Sequence, residues 1–196
     1  MMLTIYFVTS FLVGSVPTAF LVAKRSRGID IRQFGSGNVG ATNVFRVLGK
    51  KAGTFVFIAD VLKGWAPVHL FVKLYPMAGQ HKDIALLIGM TAVLGHIFTP
   101  FLGFRGGKGI ASGAGAILGW FPQVFLISIV IWILTFKVTR VVSISSLVAL
   151  GGLLASAFFY NISFNEKIIL SFMVIVVVWT HRSNIRRLIS NKENKI

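Results

Sequence analysis

Cysteine is absent from this 196-residue chain. Disulfides, thiolate catalysis and cysteine-ligated metals are thereby excluded. Acids are nearly absent too: 5 Asp+Glu stand against 20 Lys+Arg, a net charge of +15. Asp30, Asp60 and Asp83 are scattered, so they do not form the clustered aspartates of a metal-dependent phosphatidyltransferase. Charge of both signs is scarce. Charged residues make up 13% of the chain, against about 25% in an ordinary soluble domain. Together with long apolar runs, this points away from a soluble fold and toward an integral membrane protein. A basic excess on a soluble chain suggests nucleic acid. On a membrane chain it suggests basic cytoplasmic loops and an anionic substrate, and no nucleic-acid partner is expected.

What is present is a series of apolar segments. They run from Met2 to Ala23, Gly53 to Leu74, Ile84 to Leu102, Ile110 to Trp120, Gln123 to Phe136, Val141 to Tyr160 and Ile168 to Thr180. The first lacks a basic n-region and is longer than a usual signal-peptide core, so it reads as a retained span. The fourth and fifth are short for a full crossing, which takes about 20 residues. They form either one long broken helix or two helices turning at Pro122. Charge separates these readings. With seven spans and the N-terminus outside, 16 of the 20 basic residues lie inside, Lys195 among them, and only Lys73, Lys82 and Lys167 lie outside. Merging the two short segments gives 10 inside against 9 outside. The positive-inside rule therefore predicts seven spans with a cytoplasmic C-terminus. Short helices also predict that residues 103–109 dip into the membrane interface, where irregular backbone must be buried in protein or line a wet cavity. The expectation is one all-α polytopic domain over residues 1–196.

Three polar clusters interrupt the apolar pattern. The first is "GSGNVGATNVFRVLGKKAG". Its GSGNVG hexapeptide matches G-x-G-x-x-G, but a dinucleotide site needs a βαβ unit and an acid some 20 residues on. "GIDIRQF" gives a short strand at most, and Asp60 lies inside an apolar span, so the dinucleotide reading fails. The bland reading is a flexible interfacial turn. The sharper one notes Ser36, Asn38, Thr42 and Asn43 as hydrogen-bonding groups, Arg46 close behind, and a helix beginning near Ala41 whose positive end favours an anion.

The second cluster is "GHIFTPFLGFRGGKGIASG". It lacks the spacer and the Ser/Thr of a Walker loop. Gly106, Gly107 and Gly109 around Lys108 predict a backbone nest with a point charge, suited to phosphate. The alternative is a basic anchor on a tight turn. The third is "THRSNIRRL", in a tail that reads as a short basic amphipathic helix. His181, Asn184 and Arg187 fall on one helical face. Arg186 and Arg187 also fit membrane-surface binding; His181 and Asn184 add no anchoring charge. All three clusters lie on the cytoplasmic side, and their convergence on one basic pocket is expected. Asp60 and Lys63, one helical turn apart within the second span, read as an internal ion pair. His69 and His81 are isolated and read as incidental.

These blocks together resemble the bacterial acyl-phosphate:glycerol-3-phosphate acyltransferase (PlsY) family. "GSVPTAFLVAK", the first glycine-rich block, "DVLKG", the GGKG block and "HRSNIRRL" occur in family order over nearly the whole chain. The resemblance implies a seven-span enzyme of the bacterial cytoplasmic (inner) membrane, with its active site on the cytoplasmic side. It implies transfer of a fatty acyl group from acyl phosphate to the 1-hydroxyl of glycerol 3-phosphate, giving lysophosphatidic acid and phosphate. Ser36, His181 and Asn184 match the catalytic positions. Gly37, Asn38, Asn43, Arg46, Gly106, Gly107, Lys108 and Gly109 match the substrate-binding ones. Glu193 is the candidate for a late family glutamate, although "SNKEN" departs from the usual glycine-containing context. Ser183 stands where an acid is common.

The implied partners are glycerol 3-phosphate, acyl phosphate and membrane lipid. Acyl phosphate is already activated, so neither a metal nor an organic cofactor is expected. His181 is a candidate general base for the attacking hydroxyl, with a substrate phosphate as the alternative acceptor. Ser36, Asn38 or backbone amides are candidates for stabilising the oxyanion. None of His69, His81, His96 and His181 has Asp five residues on, so an H-x-x-x-x-D mechanism has no support. A small transporter of an organic phosphate is the competing reading, with broken helices and basic loops in its favour. It needs a polar path across the membrane, and the outer segments offer few polar residues.

Overall fold

The computed structural model describes residues 1–75 and 80–194. Lys195, counted above among the inner charges, lies outside the described residues. The described residues are helical, with ten α-helices and two short 3-10 turns among them. They divide into two compact units, Met1–Trp120 and Phe121–Ile196.

The first unit holds α1 (Met2–Ser15), α2 (Thr18–Arg27), α3 (Ala41–Leu48), α4 (Lys50–Leu74), α5 (Lys82–Ile97) and α6 (Ile110–Trp120). The first apolar segment, expected as one run to Ala23, is two helices. Pro17 has no amide proton, and its preceding residue is pushed out of the helical region: Val16 sits at φ −55°, ψ 116°. "GIDIRQF" is not a strand but a 3-10 turn over Ile31–Gln33, because the Asp30 side chain accepts the Arg32 amide at 3.0 Å and curls the chain.

Small residues let these helices approach closely. A Cβ on Gly64 of α4 would collide with the Ser112 carbonyl of α6, and one on Gly115 of α6 with the Val61 carbonyl of α4. Gly14 of α1 meets the Ala92 carbonyl of α5, and Gly95 of α5 meets the Phe11 carbonyl of α1. Lipid is as apolar as a leucine side chain, so burial alone does not hold membrane helices together; backbone approach and interhelical hydrogen bonds do. Ser10 Oγ donates to the Ile88 carbonyl at 2.7 Å in the α1–α5 contact.

The second unit holds α7 (Pro122–Thr139), α8 (Val142–Phe159), α9 (Phe164–Thr180) and α10 (Arg182–Ile189). Pro122 sits in the first turn of α7, where its missing N–H costs nothing, so the two short apolar segments are separate helices. Trp132 of α7 donates to Ser146 Oγ of α8 at 3.2 Å. A Ser163–Glu166 capping box opens α9. α7 exposes Leu126, Val130 and Leu134 and buries only Val124, as a helix facing lipid does.

Each of the seven expected apolar segments falls on helix. Five helical stretches are long and apolar enough to cross a membrane: residues 2–27, 50–74, 82–102, 122–139 and 142–159. α9 and α10, bent by 58°, make a sixth if taken as one broken span. α6 has 11 residues and α9 has 17. The protein is an all-helical, multi-pass membrane protein.

Candidate active site

The first unit carries two of the three sequence clusters. Residues 35–40 form a tight loop between the 3-10 turn and α3. Gly35 and Gly37 have φ of 61° and 69°, which side chains rarely tolerate. The Gly37 amide closes back on the Phe34 carbonyl at 3.0 Å. Asn43, fully buried in α3, holds the loop from below. Its Oδ1 accepts the Ser36 amide at 2.9 Å. Its Nδ2 faces the carbonyls of Ile31, Phe34 and Asn38 at 3.2, 2.9 and 3.1 Å. The carboxamide is thus committed to the backbone and holds the loop. Ser36 and Arg46 are exposed, and Asn38 is half-buried.

The GGKG loop follows α5. Gly106 donates its amide to the Ile97 carbonyl at 2.9 Å, and Gly107 donates to the His96 carbonyl at 3.1 Å. These bonds satisfy carbonyls left open at the end of α5. They also correct the expected backbone nest, because two of its three amides are already spent. The glycines are needed for a different reason. A Cβ on Gly106 would overlap the His96 carbonyl, and one on Gly107 would overlap His96 Nε2. Gly109 is buried at φ 88° and its carbonyl accepts the Gly113 amide at 2.8 Å, starting α6. Lys108 is half-buried.

The two loops meet. Asp30, Arg32, Gln33, Gly37, Val39, Arg105 and Gly106 line a cleft of about 410 Å³. Arg32 and Asp30 form a bidentate pair at the rim, with a shortest contact of 2.7 Å. The Arg32 hydrogen bonds hold the Asp30 carboxyl below the usual carboxylate range, and the same pair raises Arg32. Behind the loops, Val39, Gly106 and Gly107 share a second, tighter cleft with Ser15, Asp60, Lys63, His96 and Thr99. Arg32, Arg105, His96 and Thr99 escaped the sequence-based site. His96, Thr99 and Arg105 lie inside the GGKG block, so their place in that block was the available signal.

The third cluster belongs to the second unit. His181 is buried at the corner between α9 and α10. Its Nδ1 lies 2.8 Å from the Val177 carbonyl. A carbonyl only accepts, so Nδ1 carries a proton. Asn184, also buried, donates to Glu193 Oε1 at 2.7 Å. Ser143 Oγ donates to the same oxygen at 3.1 Å, and Arg187 Nε donates to Oε2 at 2.7 Å. Glu193 is therefore the hub of the cluster. Partial burial raises its pKa, but the hydrogen bonds from Arg187 and Asn184 outweigh that and hold it below the usual range.

A multi-pass helical membrane protein with cationic, glycine-shaped loops and a buried histidine defines a class: membrane enzymes that handle phosphorylated substrates. Residues 4–191 match the family described as glycerol-3-phosphate acyltransferase. The chain belongs to that family. It is 42% identical to the glycerol-3-phosphate acyltransferase of Chlorobium phaeobacteroides, over 95% of this chain and 93% of that one. It is 43% identical to that of Macrococcus caseolyticus, over 100% and 98%. It is also similar to a solved structure of PlsY (YgiH), an integral membrane glycerol 3-phosphate acyltransferase, in its glycerol 3-phosphate form. The TM-score is 0.94 at 35% identity, covering 100% of this chain and 96% of that one. The lysophosphatidic acid form of PlsY gives a TM-score of 0.91 at 34% identity, with the same coverage.

Proposed function

We propose that this protein transfers a fatty acyl group from acyl phosphate to the 1-hydroxyl of glycerol 3-phosphate, releasing lysophosphatidic acid and inorganic phosphate. The observation that carries the reading is the meeting of the GSGNVG and GGKG loops around one arginine-bearing cleft, in a chain of this family. The similar structures were solved in forms named for the acceptor and the product of this reaction.

The hydroxyl oxygen of glycerol 3-phosphate attacks the acyl carbon. The bond from that carbon to the bridging phosphate oxygen breaks, and phosphate departs with the electron pair. The hydroxyl proton passes to His181 Nε2 and then to the departing phosphate. The Val177 carbonyl supports this role by fixing the other proton on Nδ1. Asn184 positions the corner that carries His181. Lys108 and Arg46 supply positive charge for phosphate. Ser36 and Asn38 stabilise the oxyanion. Gly37, Gly106, Gly107 and Gly109 shape the two loops, and Asn43 holds the first of them. Acyl phosphate is a mixed anhydride with a good leaving group, so this chemistry calls on neither a metal nor an organic cofactor.

In this reading residues 1–196 work as one acyltransferase domain. Seven spans in the bacterial cytoplasmic membrane put the N-terminus outside and the active site on the cytoplasmic side, as the excess of inner basic residues favours. The acyl chain stays among helices and membrane lipid. Lys108→Ala tests the phosphate role. The expected result is a KM for glycerol 3-phosphate raised well beyond any change in the KM for acyl phosphate. Equal KM values for both substrates before and after the substitution would sink that role.

A further inference from the structure

Asp60, Lys63 and His96 are buried together, with 2, 7 and 6% of their surfaces exposed. None takes part in the chemistry above. Ionisable groups inside a membrane protein are costly, and an internal Asp–Lys pair by itself needs no functional reading. The surroundings of this pair ask for more. Lys63 Nζ lies 2.8 Å from Asp60 Oδ1 and donates to the Val16 carbonyl at 2.9 Å. That carbonyl ends α1 at the Pro17 break. Thr99 Oγ1 donates to the neighbouring Ser15 carbonyl at 2.6 Å. The Lys63–Asp60 contact is short but poorly directed. Asp60 Oδ1 is held by charge and receives no aligned hydrogen bond among the described residues.

His96 connects this charge to the GGKG loop. Its Nδ1 lies 3.9 Å from Asp60 Oδ1. Its Nε2 faces Gly107 so closely that a Cβ there would overlap it. Its carbonyl accepts the Gly107 amide, and the next carbonyl, of Ile97, accepts Gly106. Gly107 is the residue before Lys108. The cleft behind the loops is lined by the three charged or ionisable side chains together with Val39, Gly106 and Gly107. A continuous set of contacts therefore runs from the α1 break, through α4 and the end of α5, to the residue beside Lys108.

We propose that Asp60, Lys63 and His96 form a buried positioning cluster that sets the placement of the GGKG loop and thereby its affinity for the phosphate of glycerol 3-phosphate. The inference rests on the acyltransferase reading above. The three residues act through Gly107 and Lys108 and do not touch substrate. A misplacement of about 1 Å at a binding group costs up to about 100-fold, so the cluster is a sensitive lever on that one substrate.

Removing one charge leaves its partner buried and unpaired, which destabilises the fold and obscures the question. The informative variant is the doubly neutral Asp60→Asn/Lys63→Met, in which no charge is orphaned. We expect it to fold with a melting temperature near that of the wild type. We expect its KM for glycerol 3-phosphate to rise about 10- to 100-fold, with the KM for acyl phosphate unchanged. His96→Ala should show the same split, and His96→Gln should recover part of it. These two keep the idea testable if the double variant does not fold. An unchanged KM for glycerol 3-phosphate in folded variants overturns the inference, as does an equal rise in both KM values.

Calorimetric binding of glycerol 3-phosphate without donor separates this inference from its basis. A wild type that does not bind overturns both. A wild type that binds, with variants that match it, overturns the positioning role alone.

Discussion

The first and third polar clusters are held in opposite ways. In the first unit, Asn43 reaches to residues 31–38, its neighbours in sequence, and among the described residues it bonds only to backbone. In the second, Glu193 gathers Asn184, Arg187 and Ser143, the last of them 50 residues away, and among the described residues its bonds are to side chains. A neutral amide carries no desolvation cost of charge and does not titrate. A carboxylate makes stronger, charge-assisted bonds but depends on pH. The contrast teaches that one loop is fixed locally as it folds, whereas the other cluster forms only after distant helices have met.

Asn43→Ala should break the first arrangement most severely. The Ile31 and Phe34 carbonyls each keep a second donor, but the Ser36 amide and the Asn38 carbonyl lose their partners. Unsatisfied buried groups cost about 1–3 kcal/mol each, so we expect about 2–4 kcal/mol lost in a chemical or thermal unfolding assay. Turnover should fall by more than about 100-fold, because the loop moves as a unit. Asn43→Asp keeps the acceptor for Ser36 but sets a carboxylate oxygen against three carbonyls in a buried site, and should be at least as damaging as Asn43→Ala.

Glu193→Gln tests the second arrangement with a smaller effect. The amide still accepts from Asn184 but no longer carries the charge that Arg187 pairs with. We expect turnover down about tenfold, on the order of one charge-assisted bond. The sign of the pH effect is fixed by the lowered pKa. The bound carboxylate stabilises the native state above the ordinary glutamate value of 4.5, and that stability is lost as pH falls through the lower native value. Melting curves of wild type and Glu193→Gln should therefore differ at pH 7 and converge in strong acid. The Asn43→Ala variant should show no such convergence.

The sequence revealed the helices, the glycine-rich blocks and the position of α3, because apolar length, glycine spacing and capping are local signals. It did not reveal which amides were already spent. Gly106 and Gly107 look like a nest in the chain, yet their N–H groups close the end of α5, a fact that depends on a turn at residues 99–104. The Pro17 break was legible in principle, since proline rarely continues a helix. Glu193 as a hub was not, because its partners on α8 and α10 are set by tertiary packing. His96 was hidden in the same way: nothing local shows that its ring stands between Asp60 and Gly107.

Arg105→Ala should give the smallest effect. Arg105 is exposed at the rim of the cleft. Its attraction for a phosphate is screened by salt. We expect the KM for glycerol 3-phosphate to rise about threefold at low ionic strength, with little change at high salt. A salt-independent change of the same size would move Arg105 from steering to direct binding and would sharpen the boundary of the first site.

The most direct test supplies the purified, folded protein with glycerol 3-phosphate and, separately, palmitoyl phosphate, palmitoyl-CoA or palmitoyl-carrier protein, without added metal. Lysophosphatidic acid and free phosphate are then measured. The account predicts equal amounts of both products from palmitoyl phosphate and none from the thioesters. Product from a thioester but not from palmitoyl phosphate, or no product from any donor, would contradict it.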